Sequence, residues 1–394
     1  MRYVGTVVRG IRTPIIKEGD DLTNIVVDSL MKASDAEGFK FKDKDVVAIT
    51  ESVVAISEGN FATVDDIALD IEKKFPSKNI GLVYPILSRN RFSMILKGIA
   101  RGMDKITILL SFPADEVGND ILDKDILDRS KYNLSSIITE EEYRETFGSF
   151  KHPFTGINMV DFYKELVESE NCKVEFVFSN DIKEILNYTK DVLTCDIHNR
   201  LKTKKLLKEN GANVYGLFEV MNESINGSGY NPDYGLLGSN KSTEERLKLF
   251  PKTGNKVVID IQKKLKELTG KTIEVMVYGD GAFKDPIGKI WELADPVISP
   301  AYTNGLIGTP NELKLKYVSD NKFSDLRGEE LKDAIKEEIR NKETDLKGNM
   351  LSEGTTPRRL TDLIGSLCDL TSGSGDKGTP VVFLQGYFDN LADE

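Results

Sequence analysis

The sequence predicts an α/β protein built from mixed sheets with flanking helices. Apolar runs of strand length alternate with amphipathic runs of helix length through the first 112 residues, which is the pattern of parallel strands joined by helices. The chain has 394 residues, of which 39% are hydrophobic and 30% charged. It is therefore long enough to bury more than one core.

The N-terminal elements are predicted in chain order from their periodicity. A strand over 2–8 precedes a helix over 22–34, for which the acidic pair Asp20–Asp21 supplies the N-cap. Residues 45–56 (DVVAITESVVAI) predict one long strand or a strand pair. The alternation continues with a helix over 64–75, a strand over 80–86, a helix over 91–102 and a strand over 105–112.

The whole chain is predicted to divide into three parts. Residues 1–112 form an N-terminal α/β part, residues 113–200 are more polar and predict an insertion or lid, and residues 201–394 form a C-terminal α/β part. The Gly-, Asn- and Ser-rich stretch 220–241 predicts a long loop, which in a compact protein is either functional or disordered. Further predicted elements are strands over 174–179, 271–281 and 380–386, and helices up to Asn210, over 255–270 and over 357–370.

Charge and composition argue against several classes of function. Acidic residues outnumber basic ones by 64 to 53, for a formal net charge of −11, whereas nucleic-acid binding requires clustered basic residues. No apolar run approaches the length of a membrane span, and the first residues lack a signal-peptide core. Three scattered cysteines without a C-x-x-C motif are typical of reduced thiols. We therefore expect a cytoplasmic protein that binds neither nucleic acid nor membrane.

The chain is poorly supplied with histidine. His152 and His198 are its two histidines, so a histidine-rich metal centre or a Ser-His-Asp triad is not expected. Carboxylates, amides, hydroxyls and backbone groups must carry the polar chemistry, and these favour a hard cation such as Mg²⁺ over zinc. His198 by itself is more typical of a structural or surface group than of a catalytic one.

The segment LTSGSGDKGTPVVFLQG, residues 370–386, looks like a phosphate loop but is not a Walker A motif. Gly373 and Gly378 have the Walker spacing, yet Lys377 precedes the second glycine and the order is helix, loop, strand. A P-loop leads into the N-terminus of a helix, whereas here the helix presents its negative end. Two interpretations stay open: a surface turn, or an anion site of backbone N–H groups and the Lys377 ammonium.

Several stretches in the same order resemble the coenzyme F(420)-0:gamma-glutamyl ligase family. GIRTPIIKEGDDL resembles its first loop, and DVVAITESVVAISEGN resembles its strand ending in Lys-Ala-Glu-Gly. GLLGSN, KLFP, VMVYGDG and the closing segment EGTTPRRLTDLIGSLCDLTSGSGDKGTPVV resemble its later elements. The resemblance covers roughly 1–100 and 210–394. It implies the family's own mixed α/β fold rather than a P-loop or Rossmann fold.

The resemblance also implies a nucleotide site and a metal site. The implied nucleotide-binding residues are Gly10, Ile11, Arg12, Thr13, Glu51, Ser52, Asn240, Ser372, Gly373, Ser374, Gly375, Asp376, Lys377, Gly378 and Thr379. Asp280, between two glycines after an apolar strand, is implied as a catalytic, metal-binding carboxylate, and Ser374 as a second metal ligand. Arg12 is implied as a catalytic guanidinium that clamps phosphate. Without the family, Asp280 fits an Asp-Gly turn and Arg12 an exposed surface arginine.

Two arginine pairs are candidates for binding anions. Arg89 and Arg91 lie at a strand–helix junction and are predicted to bind a substrate carboxylate, with a solvated helix edge as the alternative. Arg358 and Arg359 begin the last helix, where one is expected near the nucleotide and the other in solvent.

The chain departs from the family pattern at several of these positions. Leu237 stands where the family has a metal-binding Asp, Ile56 where it has a Lys, and Ser374 where it has a metal-binding Gln. The adjacent loop offers three carboxylates in place of the lost one, Asp233, Glu219 and Glu223. The departures leave the nucleotide, the number of metals and the acyl acceptor open.

Two hypotheses of function follow. The first is a GTP- or ATP-dependent gamma-glutamyl (acid–amino-acid) ligase, in which the γ-phosphate activates a small-molecule carboxylate and the amine of L-glutamate attacks the acyl phosphate. The resemblance implies Mg²⁺ or Mn²⁺, K⁺ and a homodimer, with a deazaflavin precursor or a folate-like pterin as the carboxylate substrate. The second is a nucleotide- or ligand-binding regulatory protein that kept the fold and lost catalysis, suggested by Leu237 and Ile56.

Overall fold

The computed structural model describes residues 3–153, 155–279, 299–353, 355, 358–372 and 376–393, and the backbone of the strand residues 283–284, 291–292 and 298. The strands are β1 (Val7–Ile11), β2 (Val46–Thr50), β3 (Phe61–Thr63), β4 (Asn79–Val83), β5 (Lys105–Leu110), β6 (Ile138–Thr139), β7 (Lys173–Phe178), β8 (Asp191–Thr194), β9 (Asn213–Gly216), β10 (Asn240–Thr243), β11 (Arg246–Lys248), β12 (Glu274–Gly279), β13 (Phe283–Lys284), β14 (Trp291–Glu292), β15 (Ile298–Tyr302) and β16 (Val381–Gln385). The helices are α1 (Leu22–Glu37), α2 (Glu51–Ser57), α3 (Val64–Lys74), α4 (Phe92–Gly102), α5 (Lys124–Arg129), α6 (Glu140–Phe147), α7 (Met159–Ser169), α8 (Arg200–Glu209), α9 (Gly254–Thr269), α10 (Leu315–Asn321), α11 (Gly328–Arg340) and α12 (Leu360–Ser372).

Sheet A has five strands in the order β1-β16-β2-β12-β15. Strand β16 is antiparallel to both β1 and β2, and β12 is parallel to β2. Strands β1, β2 and β12 therefore run in one direction, and their carboxyl ends share one edge of the sheet. We call this edge the carboxyl edge of sheet A.

Both faces of sheet A are buried, and its central strand β2 is apolar at its first four positions. In β2, Val47 and Ile49 pack with α1 and α9, whereas Val46 and Ala48 pack with α12. A strand covered on both faces is expected to read as a continuous apolar run, as VVAI does. The N-cap prediction for α1 is confirmed: Oδ1 of Asp21 accepts the N–H of Asn24 at 3.0 Å.

Sheet B has the order β6-β7-β5-β4-β8-β9. Five of its strands are parallel and lie across the sheet in the order β7-β5-β4-β8-β9. Numbered by their order in the chain, these five strands have the order 3-2-1-4-5. Helices α3, α4 and α7 cover one face, and α8 and the 3₁₀ helix Ile182–Asn187 cover the other. This is the strand order of a doubly wound sheet.

The predicted mixed α/β class is confirmed, and sheet B adds a feature that the sequence did not reveal. The turn after its first parallel strand, residues 84–91, contains no glycine. The glycine-rich dinucleotide-binding motif, from which a doubly wound sheet could have been predicted, is therefore missing. Sheet B takes strands from all three predicted parts of the chain. The three-part division itself remains a prediction.

The prediction of one strand or a strand pair over 45–56 was wrong in its second half. Strand β2 ends at Thr50 and α2 begins at Glu51. Glu51, Val54 and Ala55 are the buried residues of α2, a spacing that belongs to a helix. A short apolar run does not distinguish a strand from a helix. The error was to assume the two-residue period of a strand where the helical period applies.

The remaining elements are smaller. Strands β10, β11 and β3 form a three-stranded sheet that joins the C-terminal part of the chain to the segment after α2. Helices α10 and α11 surround a satellite cluster that includes Val318, Ile335 and Ile339. Within the part of the chain that the structure describes, no helix combines the length and the apolarity needed to cross a bilayer.

Candidate functional site

Segments that are far apart in sequence meet at the carboxyl edge of sheet A. Ile11 pairs with Val381, Val381 with Ile49, and Ile49 with Val277, so the four residues form one row across four strands. The chain leaves the sheet one to three residues beyond this row in β1, β2 and β12. The predicted nucleotide-binding segments therefore emerge side by side.

The N-terminal and C-terminal loops touch directly at this edge. The backbone N–H of Thr13 donates to the carbonyl of Gly378 at 3.3 Å. A Cβ atom on Gly10 would lie 3.1 Å from Cβ of Thr379, so glycine permits this close approach of the two loops. Two of the segments implied to hold one nucleotide thus form a single wall.

A cavity of about 860 Å³ opens beside this wall, between it and α1. Arg9, Arg12, Lys32 and Lys377 line it, against one carboxylate, Glu37. In a chain with a net charge of −11, this is a local concentration of positive charge, which attracts polyphosphates. The volume lies within the range of small-molecule sites.

The two arginines of the wall, Arg9 and Arg12, differ in the contacts that their side chains make. Nη1 of Arg9 donates to Oε1 of Gln385 at 3.5 Å, and its guanidinium lies 4.7 Å from the ring centre of Phe39. Arg12 is exposed, and no residue that the structure describes forms an ion pair or hydrogen bond with its side chain. Arg12 is therefore the arginine better suited to bind a ligand, and its role in nucleotide binding stays a prediction.

A buried ion pair lies at the centre of the edge. Glu51 begins α2 directly after β2, and its Oε1 lies 3.4 Å from Nζ of Lys248 in β11. A Cβ atom on Gly279 would lie 2.6 Å from Cγ of Glu51, so the end of β12 packs against this side chain. Lys248 is opposite Asn240 in the β10–β11 register, which connects the predicted residue Asn240 to the same cluster.

Lys248 was missed in the sequence analysis. It stands between Leu247 and Leu249, which are fully buried, and it is itself only 7% exposed. A charged residue within a short apolar strand was the available signal, since buried lysines are rare unless paired.

Ser372, predicted to bind nucleotide, anchors the loop instead of facing the cavity. Its Oγ lies 2.7 Å from the hydroxyl of Tyr278, and its carbonyl accepts from Oγ1 of Thr379 at 3.2 Å. Burial raises the pKa of Tyr278 well above its usual range, so the phenol stays neutral. Asp376, Lys377 and Gly378 are exposed, and Gly373, Ser374 and Gly375 lie outside the described residues.

The described residues by themselves do not make a metal site. Asp280 and Ser374, the predicted ligands, lie outside them, and within the described ranges no group of three His, Cys, Asp or Glu residues converges. The carboxylate available at the edge, Glu51, is paired with Lys248. The metal role of Asp280, which follows Gly279 in the chain, stays a prediction.

A second cavity, of about 360 Å³, lies along β15. Two guanidinium groups, of Arg200 and Arg359, and one carboxylate, of Asp362, line it, together with Tyr302 and Leu237. It is next to β12, because Ile298 at the start of β15 pairs with Gly279. The apolar Leu237 thus stands in the wall of this cavity, at the position where the resemblance implies a carboxylate.

None of the three carboxylates proposed to replace the lost one lines this second cavity. Glu219 is ion-paired with Lys204, and Glu223 pairs at the surface with Lys73 at 3.2 Å. Asp233 is exposed. The structure offers no substitute among them.

Arg89 and Arg91 belong to the carboxyl end of β4 in sheet B. Arg89 lines a third cavity, of about 300 Å³, with His152, and Arg91 is the N-cap of α4. The carbonyl of Asn90 accepts the N–H of Lys241 at 2.7 Å, so this loop contacts β10. The arginines lie apart from the linings of the two cavities beside sheet A, and their substrate role stays a prediction.

The turn at Glu58-Gly59-Asn60, after α2, holds the segment before α9 and the long loop 220–241. Oε1 and Oε2 of Glu58 accept the N–H groups of Lys252 and Thr253 at 2.8 and 2.9 Å. The buried Asn60 side chain accepts the N–H of Tyr230 at 2.9 Å. The carbonyl of Phe61 also accepts the N–H of Gly229 at 2.7 Å, so the middle of the stretch 220–241 is hydrogen-bonded to the segment after α2.

A mixed α/β core with a cationic cavity at the carboxyl edge of a sheet is the arrangement of a protein suited to small anionic ligands. The chain belongs to the F420-0:Gamma-glutamyl ligase family, whose sequence profile matches residues 10–386. Membership supports gamma-glutamyl ligase activity in general, and the match includes the stretch 113–200 that the resemblance had left out. A search of curated proteins found no match.

Proposed function

We propose that the protein is a nucleotide-dependent gamma-glutamyl ligase that joins a small-molecule carboxylate to the amine of L-glutamate. The observation that carries the proposal is the 860 Å³ cavity at the carboxyl edge of sheet A. Four cationic side chains line it, and the segments implied to bind nucleotide converge there. Membership of a ligase family supplies the reaction class.

The cationic cavity would hold the triphosphate of GTP or ATP, with Arg12 and Lys377 on its phosphates. An oxygen of the substrate carboxylate attacks the γ-phosphorus, the bond to the β-phosphate oxygen breaks, and the nucleoside diphosphate leaves. The glutamate amine then attacks the acyl carbon, inorganic phosphate leaves, and the nitrogen loses a proton to form the amide. Such chemistry depends on positioning and on charge neutralisation.

We assign the 360 Å³ cavity to L-glutamate. Its two guanidinium groups, Arg200 and Arg359, match the two carboxylates of glutamate, and arginine binds carboxylates in a bidentate geometry. The cavity adjoins β12, two strands from the phosphate-binding wall in the strand order of sheet A. An amine held there would lie toward the centre of the edge.

The remaining partners are carried over from the resemblance as proposals. A divalent cation, Mg²⁺ or Mn²⁺, would screen phosphate charge when bound, and its proposed protein ligand is Asp280. The K⁺ ion, the homodimer, the cytoplasmic location and the deazaflavin or pterin substrate rest on the family resemblance or on composition. No described contact bears on them.

The test is a thermal-shift screen of the full chain against GTP, ATP, GDP and ADP, with and without Mg²⁺ or Mn²⁺. A nucleotide at about 100 times its Kd should stabilise the fold by roughly 2.7 kcal/mol. We expect metal-dependent stabilisation by one triphosphate that Asp280→Ala abolishes. Absence of any nucleotide shift would refute the proposal.

A catalytically inactive nucleotide-binding regulator is the second candidate function. The observation in its favour is Leu237, which is 5% exposed and puts an apolar side chain where the family has a metal-binding carboxylate. Release of inorganic phosphate separates the two candidates. The ligase should release phosphate from the triphosphate only when L-glutamate and a carboxylate acceptor are both present, whereas the regulator should bind nucleotide and release none under any combination.

A further inference from the structure

A separate cavity of about 520 Å³ lies at the carboxyl ends of the parallel strands of sheet B. Tyr84 follows β4, Ser111 follows β5, Asn180 lies beyond β7 and Asp196 lies beyond β8, and all four line the cavity. In doubly wound sheets, ligands bind outside the carboxyl ends of the strands, where the connections diverge to opposite faces. Here that point lies between β4 and β8, and the cavity occupies it.

The inner wall of this cavity contains a buried carboxylate with unused bonding capacity. Asp196 is 3% exposed, and its Oδ2 accepts from Oγ1 of Thr203 at 2.7 Å. Within the described part of the chain, its Oδ1 has no hydrogen-bond partner in another residue. A buried acceptor that lacks a donor is costly, so this oxygen is suited to accept from a ligand.

A second carboxylate stands beside it. Glu116 accepts the backbone N–H groups of Ile197 and of His198, the latter at 3.0 Å, so the loop after β8 holds it against Asp196. Burial raises the pKa of both carboxyls, and the charge of Asp196 adds to the rise at Glu116. Two such acceptors match a pair of hydroxyl donors better than an anion.

Helix α8, whose Thr203 holds Asp196, also brings two cations to the lining. Lys202 and Lys205 project from α8, and Asn199, the N-cap residue of that helix, makes no side-chain cap bond. The first turn of α8 contains no acidic residue, so its free N–H groups favour an anion. Glu209 lines the far end of the same helix, away from its N-terminus.

We propose that this cavity binds a phosphorylated ribose, whose hydroxyls donate to Asp196 and Glu116 and whose phosphate faces Lys202 and Lys205. Asp115, whose oxygens accept hydrogen bonds from Leu87, Val117 and Asn119, also lines the cavity, as do apolar atoms of Ile182 and Leu206. The volume is sufficient for a nucleoside monophosphate. The ligand is either a free sugar phosphate or a nucleotide, which share this chemistry. The site is distinct from the cavity beside sheet A, and the proposal does not depend on the ligase function.

The experiment is isothermal titration calorimetry of the full chain, without added metal, with ribose 5-phosphate, AMP and GMP. Ribose and inorganic phosphate are titrated as the two halves of the ligand. Asp196→Asn removes a charge while its remaining oxygen can still accept from Thr203, so we expect it to fold. Lys202→Gln/Lys205→Gln removes the cations, Lys208→Gln is the matched control on α8, and Arg12→Ala is the control for sheet A.

We expect at least one phosphorylated ribose to bind, with affinity reduced roughly tenfold or more in Asp196→Asn and in the double lysine variant. Lys208→Gln and Arg12→Ala should bind like the wild type. Preference for AMP or GMP over ribose 5-phosphate identifies a nucleotide, and equal affinity identifies the sugar phosphate.

The proposal is overturned if none of the three ligands binds, if inorganic phosphate binds as tightly as they do, if Asp196→Asn leaves the affinity unchanged, or if Arg12→Ala abolishes binding. A measurement on the wild type makes the test independent of the variants. Hydrogen exchange should slow at 196–206 on ligand binding, and slowing confined to 9–13 would refute the assignment.

Discussion

Nζ of Lys248 lies 3.4 Å from Oε1 of Glu51, and the two side chains are 9% and 8% exposed. Glu51 follows β2 of sheet A, whereas Lys248 ends β11 of the small sheet. The pair therefore joins two sheets at the centre of the candidate site. A buried ion pair requires both partners, because an isolated buried charge is strongly destabilising.

Replacing Lys248 should therefore destabilise the protein. We expect Lys248→Met to cost about 3–5 kcal/mol, because the Glu51 carboxylate loses this cation while still buried. Glu51→Gln in addition should recover part of the loss. Urea unfolding measures the effect, with the exposed Lys256→Met as the control, and an effect no larger than that of the control would contradict the role of the pair.

Adding a methyl group at Gly279 should disturb the same cluster. A Cβ atom there would lie 2.6 Å from Cγ of Glu51, so Gly279→Ala must displace the carboxylate or the strand, at about 1–3 kcal/mol. Gly5→Ala is the matched control, since a Cβ atom there has no neighbour within 4 Å. The melting temperatures of both variants measure the effect. Equal values would contradict the prediction, because they would show that the edge accommodates the added methyl group.

Arg12 should contribute to nucleotide affinity. A hydrogen bond to a charged group contributes about 1.5–3 kcal/mol, so Arg12→Ala should weaken binding of the preferred triphosphate by roughly tenfold to a hundredfold. Titration calorimetry measures Kd, with the exposed Arg129→Ala on α5 as the control. Unchanged affinity in Arg12→Ala would place the nucleotide elsewhere.

Arg359 should affect the use of glutamate and not of nucleotide. On our proposal Arg359→Ala raises the KM for L-glutamate roughly tenfold or more, because one charge-assisted carboxylate contact is lost. The KM for the triphosphate should stay constant. Arg358→Ala, the neighbouring residue outside the cavity lining, is the control, and a rise confined to the nucleotide KM would remove glutamate from this cavity.

The stability of the protein should depend on pH through Asp196. Burial raises its pKa in the folded state above the ordinary value of 3.8, so the folded state binds the proton more tightly than the unfolded state. The corresponding contribution to stability is present below the ordinary pKa and is lost as pH rises through the raised one. Asp196→Asn should therefore melt at or above the wild-type temperature at pH 7, and this advantage should disappear near pH 3.5.

The control for this prediction is Asp128→Asn, which makes the same change of carboxylate to amide at an exposed residue. It should have equal effects at the two pH values. A variant at Asp196 that melts well below the wild type at pH 7 would show that the buried carboxylate has a stabilising partner in the folded protein.

Sequence alone determined the local structure and the family. The alternation of periods located long helices such as α1, α3, α4 and α9 and central strands such as β4, β5 and β12. Asp21 indicated the N-cap of α1, and the order helix, loop, strand ruled out a P-loop at 370–386. These features depend on neighbours in the chain, since periodicity reports which face of an element is buried. The order of quoted motifs was sufficient to indicate the ligase family.

Only the tertiary structure decided how these pieces combine. Ile11 and Val381, from opposite ends of the chain, pair in one sheet, and this pairing creates the cationic wall. Lys248 meets Glu51 only because β11 packs beside α2. The cavity of sheet B exists only because five parallel strands take a doubly wound order without the usual glycine motif. Strand order and long-range contacts follow from packing between segments that are distant in the chain. The hydrophobic period of a single segment contains no information about that packing.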